Sequence, residues 1–179
     1  TTGEEKGVML SNANLIDTTF NGNFDVNIKV SILPMHHAFS LKSDFLTPLG
    51  VGSTTCFHNG MDKLGEALQA YEPTCLSMVP MIANALYNKV FMFSQQTGKT
   101  MEECKYLVFG KRINQIITGG AHLPSELVDK YQNIGIGIAQ GYGMSECSPS
   151  ISIPCWARPD KAHSSGMLVR GCEVRVVDG

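Results

Sequence analysis

The chain has 179 residues, with 14 lysines and arginines against 16 aspartates and glutamates, for a formal charge of -2. That balance builds in neither a polycationic surface for nucleic acid nor an acidic tail. Hydrophobic residues make up 43% and charged residues 17%, which excludes a disordered chain; at this length about 70% of the unfolded surface can be buried, in one domain.

In chain order, Ser11 is an N-cap for a helix running through Asn14-Leu15-Ile16 to Phe20 and stopped by Asn21-Gly22-Asn23. Ile28 to Leu33 alternates like a strand and halts at Pro34. Ala38 to Leu49 reads as helical, Val51 to Phe57 as a compact β-branched strand, and Met61 to Tyr71 as a helix with Leu64, Ala67, Leu68 and Tyr71 on one side. Thr74 to Val79 is a short apolar strand. Pro80 opens a helix ending near Gly98, because the N–H it lacks would be unpaired there anyway. Met78, Met81, Met92 and Phe93 suit either an adaptable apolar tunnel or the core of that helix.

Thr100 to Val108 reads as a further helix and Ile113 to Thr118 as a strand ending in Gly119-Gly120. A helix from Pro124 through Tyr131 follows, then a strand from Ile134 to Gln140 and a turn at Gly141-Tyr142-Gly143. The tail from Cys172 to Val177 alternates like a last strand. This order predicts an α/β fold: a mostly parallel, doubly wound sheet flanked by helices, with a C-terminal strand starting a further β subdomain. Ligands of such sheets bind at the carboxyl ends of strands, which selects three loops: Pro34 to Phe39, Gly119 to His122, and Gly141 to Glu146.

The six cysteines are scattered, without the close pairs of a zinc knuckle. Several lie in apolar stretches and read as small buried hydrophobes, in a reducing, cytoplasmic compartment. No apolar run approaches the roughly 20 residues of a membrane-spanning helix, and Thr1-Thr2-Gly3-Glu4-Glu5-Lys6 lacks the apolar core of a signal peptide.

Three segments carry chemistry. Thr1 to Ser11 offers hydroxyls, glycines and Lys6 for wrapping a polyphosphate, without the Gly-Lys-Ser/Thr order of a Walker loop. A flexible surface turn is the plainer reading of that composition. Leu33-Pro34-Met35-His36-His37-Ala38-Phe39 places two histidines after a strand; adjacent residues point to different sides, so one lines a pocket while the other packs or meets solvent. Gln140-Gly141-Tyr142-Gly143-Met144-Ser145-Glu146 brings a ring near backbone, a hydroxyl for a phosphate oxygen, and a hard oxygen ligand for Mg²⁺. Taken alone, this last segment is equally a plain glycine-rich turn.

Together they resemble the adenylate-forming (AMP-binding) acyl-CoA synthetases, and most closely the long-chain fatty acid–CoA ligases. Thr1 to Val8 is similar to the second half of that family's phosphate loop, and Leu33 to Phe39 to its Leu-Pro-x-x-His-x-Phe segment. Gly119-Gly120-Ala121 and Gln140 to Glu146 resemble its adenine-binding strand end and Gly-Tyr-Gly-Met/Leu-Thr/Ser-Glu signature. His163 to Asp178 is similar to its later Gly-Ser-x-Gly…Gly-x-Glu-x-x-x-x-Asp stretch.

The resemblance implies an ATP-dependent acid–thiol ligase: a carboxylic acid, of the long-chain fatty class, attacks the α-phosphorus, pyrophosphate leaves, and the acyl group passes to coenzyme A. It implies that Thr1, Thr2, Gly3 and Lys6 hold the β- and γ-phosphates. Gly120 and Ala121 approach adenine or the acyl carboxylate, within a cofactor site that also includes Gln140, Gly141, Tyr142, Gly143 and Met144. Tyr142 stacks on adenine, Ser145 touches the α-phosphate, Glu146 holds Mg²⁺, and His37 walls the nucleotide pocket from the acyl pocket. Glu4 and Glu5 depart from the small, polar or proline residues usual in the phosphate loop.

The family's ribose-binding Asp, in Tyr-x-Thr-Gly-Asp, and its C-terminal Lys have no counterpart between Thr1 and Gly179. The expectation is therefore a piece of a larger N-terminal domain, with about 1–155 the sheet and about 156–179 the start of a β subdomain, inactive alone and needing the remainder of its parent chain. Small molecules are the expected partners; nucleic acid is not. Peripheral membrane contact is compatible with lipid handling, although no basic amphipathic helix supports it. A non-catalytic nucleotide- or acyl-binding module, or an adenylation domain for another acid, are the alternatives.

Overall fold

The computed structural model describes residues 7–20 and 28–177. After α1 (Asn12–Thr19) and β1 (Ile28–Val30) comes a continuous helical stretch: α2 (Ala38–Ser40), a π-helical segment (Leu41–Leu46) and α3 (Thr47–Val51). Then follow β2 (Thr54–Cys56), a 3-10 turn (Met61–Lys63) running into α4 (Leu64–Tyr71), β3 (Cys75–Met78), α5 (Pro80–Thr97), α6 (Met101–Phe109), β4 (Gln115–Thr118), α7 (Ser125–Asn133) and β5 (Gly137–Gln140). Three short strands close the description: β6 (Tyr142–Gly143), β7 (Ser150–Ile153) and β8 (Met167–Leu168).

Helix boundaries follow local chemistry. The Ser11 hydroxyl accepts from Asn14 N while the Asn14 side chain accepts from Ser11 N, a reciprocal cap that starts α1. Thr100 and Glu103 cap α6 in the same way, and the backbone N–H of Thr100 holds the Glu103 carboxyl below its usual range. Helix α5 begins on Pro80 and stops at Gly98, whose left-handed φ of 68° ends the helix without strain on a Cβ.

Strands β2-β1-β3-β4-β5 form one fully parallel sheet in that order, the doubly wound arrangement expected. The register places Val30, Leu76, Ile116 and Ile138 in one row. That face is packed by α4, α5, α6 and α7 through Leu68, Val90, Phe109, Leu127 and Tyr131. The Tyr131 hydroxyl donates to Ala83 O at 2.7 Å, and burial pushes this phenol well above its ordinary range. The neighbouring row, Lys29, Cys75, Gln115 and Gly137, lies on the opposite face. Phe39 and Trp156 pack there against Cys75 and Ile117.

A second, antiparallel sheet has the order β6-β7-β8. The expected turn at Gly141-Tyr142-Gly143 is thus corrected: Tyr142 and Gly143 are a strand, paired with Ser152 and Ser150. Two residues, as in β6 and β8, are too few to show alternation; β7 does alternate, as Ser150-Ile151-Ser152-Ile153, and the sequence reading passed over it. The stretch from Cys172 to Val177, expected as a strand, has no ladder partner among the described residues, and Val174, Val176 and Val177 are exposed. Alternation becomes a strand only where another strand pairs with it. Ile134 to Ile136, also expected as strand, instead closes α7, with Gly135 left-handed. The cysteines are free thiols. No helix among the described residues is long and apolar enough to cross a membrane.

Candidate functional site

The carboxyl ends of β1, β3, β4 and β5 open into one cavity of about 220 Å³. Leu33, Pro34 and His37 come from the loop after β1, Val79 from the end of β3, Gly119 and Gly120 from the loop after β4, and Gly141 to Ser145 from the loop after β5. The three loops selected by the strand-end rule therefore converge. The smaller sheet supplies the opposite wall through Ser150, Ser152 and Ile153.

Two glycines are dictated by close approach. A Cβ on Gly143 would lie 1.7 Å from Pro149 O, inside the β6–β7 pairing, so no side chain fits. On Gly119 it would press on the Phe39 ring at 3.3 Å, a ring that itself lines the cavity.

Of the residues implicated by sequence, His37, Gly120, Gly141, Tyr142, Gly143, Met144 and Ser145 line this cavity. Tyr142 is 55% exposed, a ring standing at the mouth and free to stack. His37 is exposed at the start of α2, its ring centroid 6.4 Å from that of His36. Ala121, Gln140 and Glu146 do not line the cavity. Ala121 is exposed beside Gly120. The Gln140 side chain is used within the fold: its Oε1 accepts from Leu123 N at 2.8 Å and its Nε2 donates to Ser165 Oγ at 3.2 Å.

Glu146 is exposed in a 3-10 turn with Ser145. Among the described residues no cluster of three or more metal-ligating side chains forms. Thr1, Thr2, Gly3 and Lys6 lie outside the described residues. The methionine tunnel is not formed: Met78 is core, Met81 and Met92 are exposed, and neither they nor Phe93 line the cavity.

The cavity also contains groups that the sequence reading passed over. Lys29, only 2% exposed, pairs with the fully buried Asp44 at 3.2 Å and donates to Ser43 O at 2.7 Å and Ser77 Oγ at 2.6 Å. Its three donors are thus satisfied. Asp44 in turn accepts from Ser40 and Ser43 at 3.2 and 3.1 Å. Lys42, two residues before Asp44, is buried and donates to Ser150 Oγ at 2.6 Å, tying the helical stretch to the small sheet. Burial, and then the like charge of Lys29, lower the Lys42 ammonium to about 8. The one available signal was polarity out of pattern: a lysine inside an apolar parallel strand, and a Lys-Ser-Asp run inside a helix with buried sides.

Comparison with known proteins places this geometry. The AMP-binding enzyme family matches residues 1–179, the whole chain. 4-Coumarate–CoA ligase-like 3 of Arabidopsis thaliana is 30% identical over 190 residues, covering 99% of this chain and 32% of that protein. 4-Coumarate–CoA ligase 2 of Nicotiana tabacum is 28% identical, covering 99% and 34%.

Among solved structures, the o-succinylbenzoate coenzyme A synthetase of Bacillus subtilis in complex with ATP and magnesium ion superposes with a TM-score of 0.74 at 20% identity, covering 99% of this chain and 35% of that one. A long-chain-fatty-acid–CoA ligase of Archaeoglobus fulgidus gives 0.65 at 20% identity, over 88% and 31%. The chain spans about a third of the length of the relatives it matches. A match that runs from the first residue to the last, together with three signature loops meeting in one cavity, establishes that the chain belongs to the AMP-binding enzyme family.

Proposed function

We propose that the protein containing this chain is an ATP-dependent acid–thiol ligase, which forms an acyl-adenylate with release of pyrophosphate and then transfers the acyl group to coenzyme A. The observation that carries this reading is the convergence of the loops after β1, β4 and β5 on one cavity. In the first step two anions must meet, so charge neutralisation and alignment dominate the barrier. Tyr142 offers its exposed face to adenine, and Gly120, where an added Cβ would have only Val79 within 4 Å, lets a flat ring approach. Ser145 stands at the mouth to donate to an α-phosphate oxygen, and His37 separates nucleotide from acid. The Thr1 to Lys6 segment carries the remaining phosphate contacts. The 179 residues alone, about a third of the length of their relatives, are not expected to turn over.

Glu146 fits a Mg²⁺ ligand: it is an exposed carboxylate next to Ser145, with no ion-pair partner among the described residues. Glu146 would hold Mg²⁺ as a single carboxylate, which suits a cation that keeps much of its water, since no further metal-ligating side chains cluster there among the described residues. Mg²⁺ supplies neutralisation of the phosphate charge. The acid we assign has an apolar body of the long-chain fatty class, supported by the Leu33, Ala38, Phe39, Val79, Ile117 and Ile153 walls and by the resemblance of the Leu33 to Phe39 and Gln140 to Glu146 segments to fatty acid–CoA ligases. Glu146→Gln in the full-length protein should abolish Mg²⁺-dependent ATP–pyrophosphate exchange while leaving the circular dichroism spectrum intact. Unchanged exchange refutes the metal role, and absence of exchange with fatty, aromatic and amino acids in the unsubstituted protein refutes the ligase reading.

A further inference from the structure

Lys42 is the charged group that the proposed chemistry leaves unused. It lines the cavity, yet its side chain is only 5% exposed. Among the described residues its ammonium has one hydrogen bond, to Ser150 Oγ at 2.6 Å, and no carboxylate partner. The nearest acid in sequence, Asp44, is held by Lys29 at 3.2 Å. The charged or titratable residues other than tyrosine that line the cavity are Lys29, Lys42 and His37, with no aspartate or glutamate among them. Burial and the charge of Lys29 already depress Lys42 towards neutrality, the sign of a cation held without a counter-charge.

Such a group is costly to bury, and an apolar side chain of similar volume would fill the same wall more cheaply. The penalty is relieved when an anion enters. Which anion is decided by position. The reacting carboxylate and the phosphates belong at the strand-end loops, by His37, Gly120 and Ser145. Lys42 lies more than one helical turn beyond His37, roughly 5–7 Å along the axis. His37 is exposed whereas Lys42 is buried against Ser150, in a cavity that Ser43 and Thr47 also line. The Lys42 ammonium reaches Ser150, on the wall that pairs with Gly143, below the exposed His37 and Ser145; a ligand group meeting it is therefore the buried end of an acid that enters from the mouth.

We propose that Lys42 is a specificity residue that binds a second carboxylate at the distal end of the acyl substrate, so that the protein selects dicarboxylic acids with an apolar body over plain monoacids of the same length. The acid-activating reading above supplies the first carboxylate, and this inference rests on it. Lys42 draws the distal carboxylate into a water-poor wall where Ser150, whose oxygen accepts from Lys42, keeps its own proton to offer, while Ser43 and Thr47 already donate to Asp44 and to Thr19 O; charge-assisted hydrogen bonds are strongest in such surroundings. A plain alkyl end leaves the ammonium uncompensated, so discrimination works by penalty as well as by attraction.

The test is equilibrium binding to the full-length protein of acids paired by length: hexanoate against adipate, octanoate against suberate, decanoate against sebacate. At least one diacid should bind about tenfold or more tightly than its monoacid. That ratio should collapse about tenfold in Lys42→Met and survive in Lys42→Arg. No diacid preference in the unsubstituted protein overturns the proposal without need of a variant, so a Lys42→Met chain that fails to fold does not shelter it. Equal loss of monoacid and diacid binding in Lys42→Met also overturns it and reduces Lys42 to a tie to Ser150.

The two readings fail separately. Lys42-dependent diacid binding without acid-dependent ATP–pyrophosphate exchange sinks the ligase and keeps the distal carboxylate site. Exchange running equally on octanoate and suberate, in both variants, does the reverse.

Discussion

Removing the Asp44 carboxylate should be among the most damaging single changes in the sheet-facing side of this site. Lys29 and Asp44 are 2% and 0% exposed, with Nζ and Oδ1 3.2 Å apart. At an effective dielectric constant of about 20, a pair at that distance is worth about 5 kcal/mol of Coulomb energy. Asp44→Asn keeps the side-chain volume but only one of the two oxygens that accept from Ser40 (Oδ2) and Ser43 (Oδ1), and it leaves the Lys29 charge with neutral partners alone, Ser43 O and Ser77 Oγ among them. Allowing for relaxation, the expected loss is about 3–5 kcal/mol.

Lys29→Met should cost a similar amount, because it strands the Asp44 charge. The double variant should recover much of the sum, since no uncompensated charge remains; the expected coupling is about 3 kcal/mol. Urea unfolding of the protein and the three variants, with unchanged m-values, measures this. A loss under about 1 kcal/mol in Asp44→Asn, or strict additivity in the double variant, refutes the argument that the pair is a buried, mutually dependent unit.

Gly143→Ala should disrupt the β6–β7 pairing, because its Cβ would fall 1.7 Å from Pro149 O. A loss of about 3 kcal/mol in thermal unfolding, with ATP binding lost alongside, is expected, and near-native stability contradicts it. Lys42 makes stability pH-dependent. Its folded value of about 8 lies below the ordinary 10.5, so the unfolded chain binds more protons between those values and stability contributed by this group rises with pH across that window, by about 3 kcal/mol in total, and is lost again as pH falls to about 8. Cys75 and Tyr131, both raised by burial, work in the opposite sense. The readout is therefore the difference between the protein and Lys42→Met, with Lys29 and Asp44 present in both; a difference flat from pH 7 to pH 11, by about 1 kcal/mol or less, refutes the depressed ammonium.

Some helix boundaries were legible because capping is local: Ser11 with Asn14, Thr100 with Glu103, Pro80 and Gly98 each act within a few residues; Val51, read as the start of a strand, instead ends α3. The parallel sheet was legible because apolar runs alternate with helical periods, and the three site loops followed from the strand-end rule. The small sheet was not, since Tyr142–Gly143 and Met167–Leu168 are strands only by virtue of the partners that β7 brings to them. Cys172 to Val177 shows the converse, an alternating run without a ladder among the described residues.

Within the site, Gly143 could be marked from its motif, but the reason for it, the carbonyl of Pro149, comes from a strand pairing. Gln140 sits in the same motif, yet its amide is committed to Leu123 and Ser165. Motif membership and cavity membership are different properties.

Sequence alone determined the family resemblance, the α/β class and the segments that carry the nucleotide chemistry, because each depends on residues adjacent in the chain. Tertiary structure alone decided the electrostatics of the buried lysines. Lys29 meets Ser77 across 48 positions and Lys42 meets Ser150 across 108. Whether a lysine is paired, solvated or left buried without an anion depends on which distant side chains the fold brings to it.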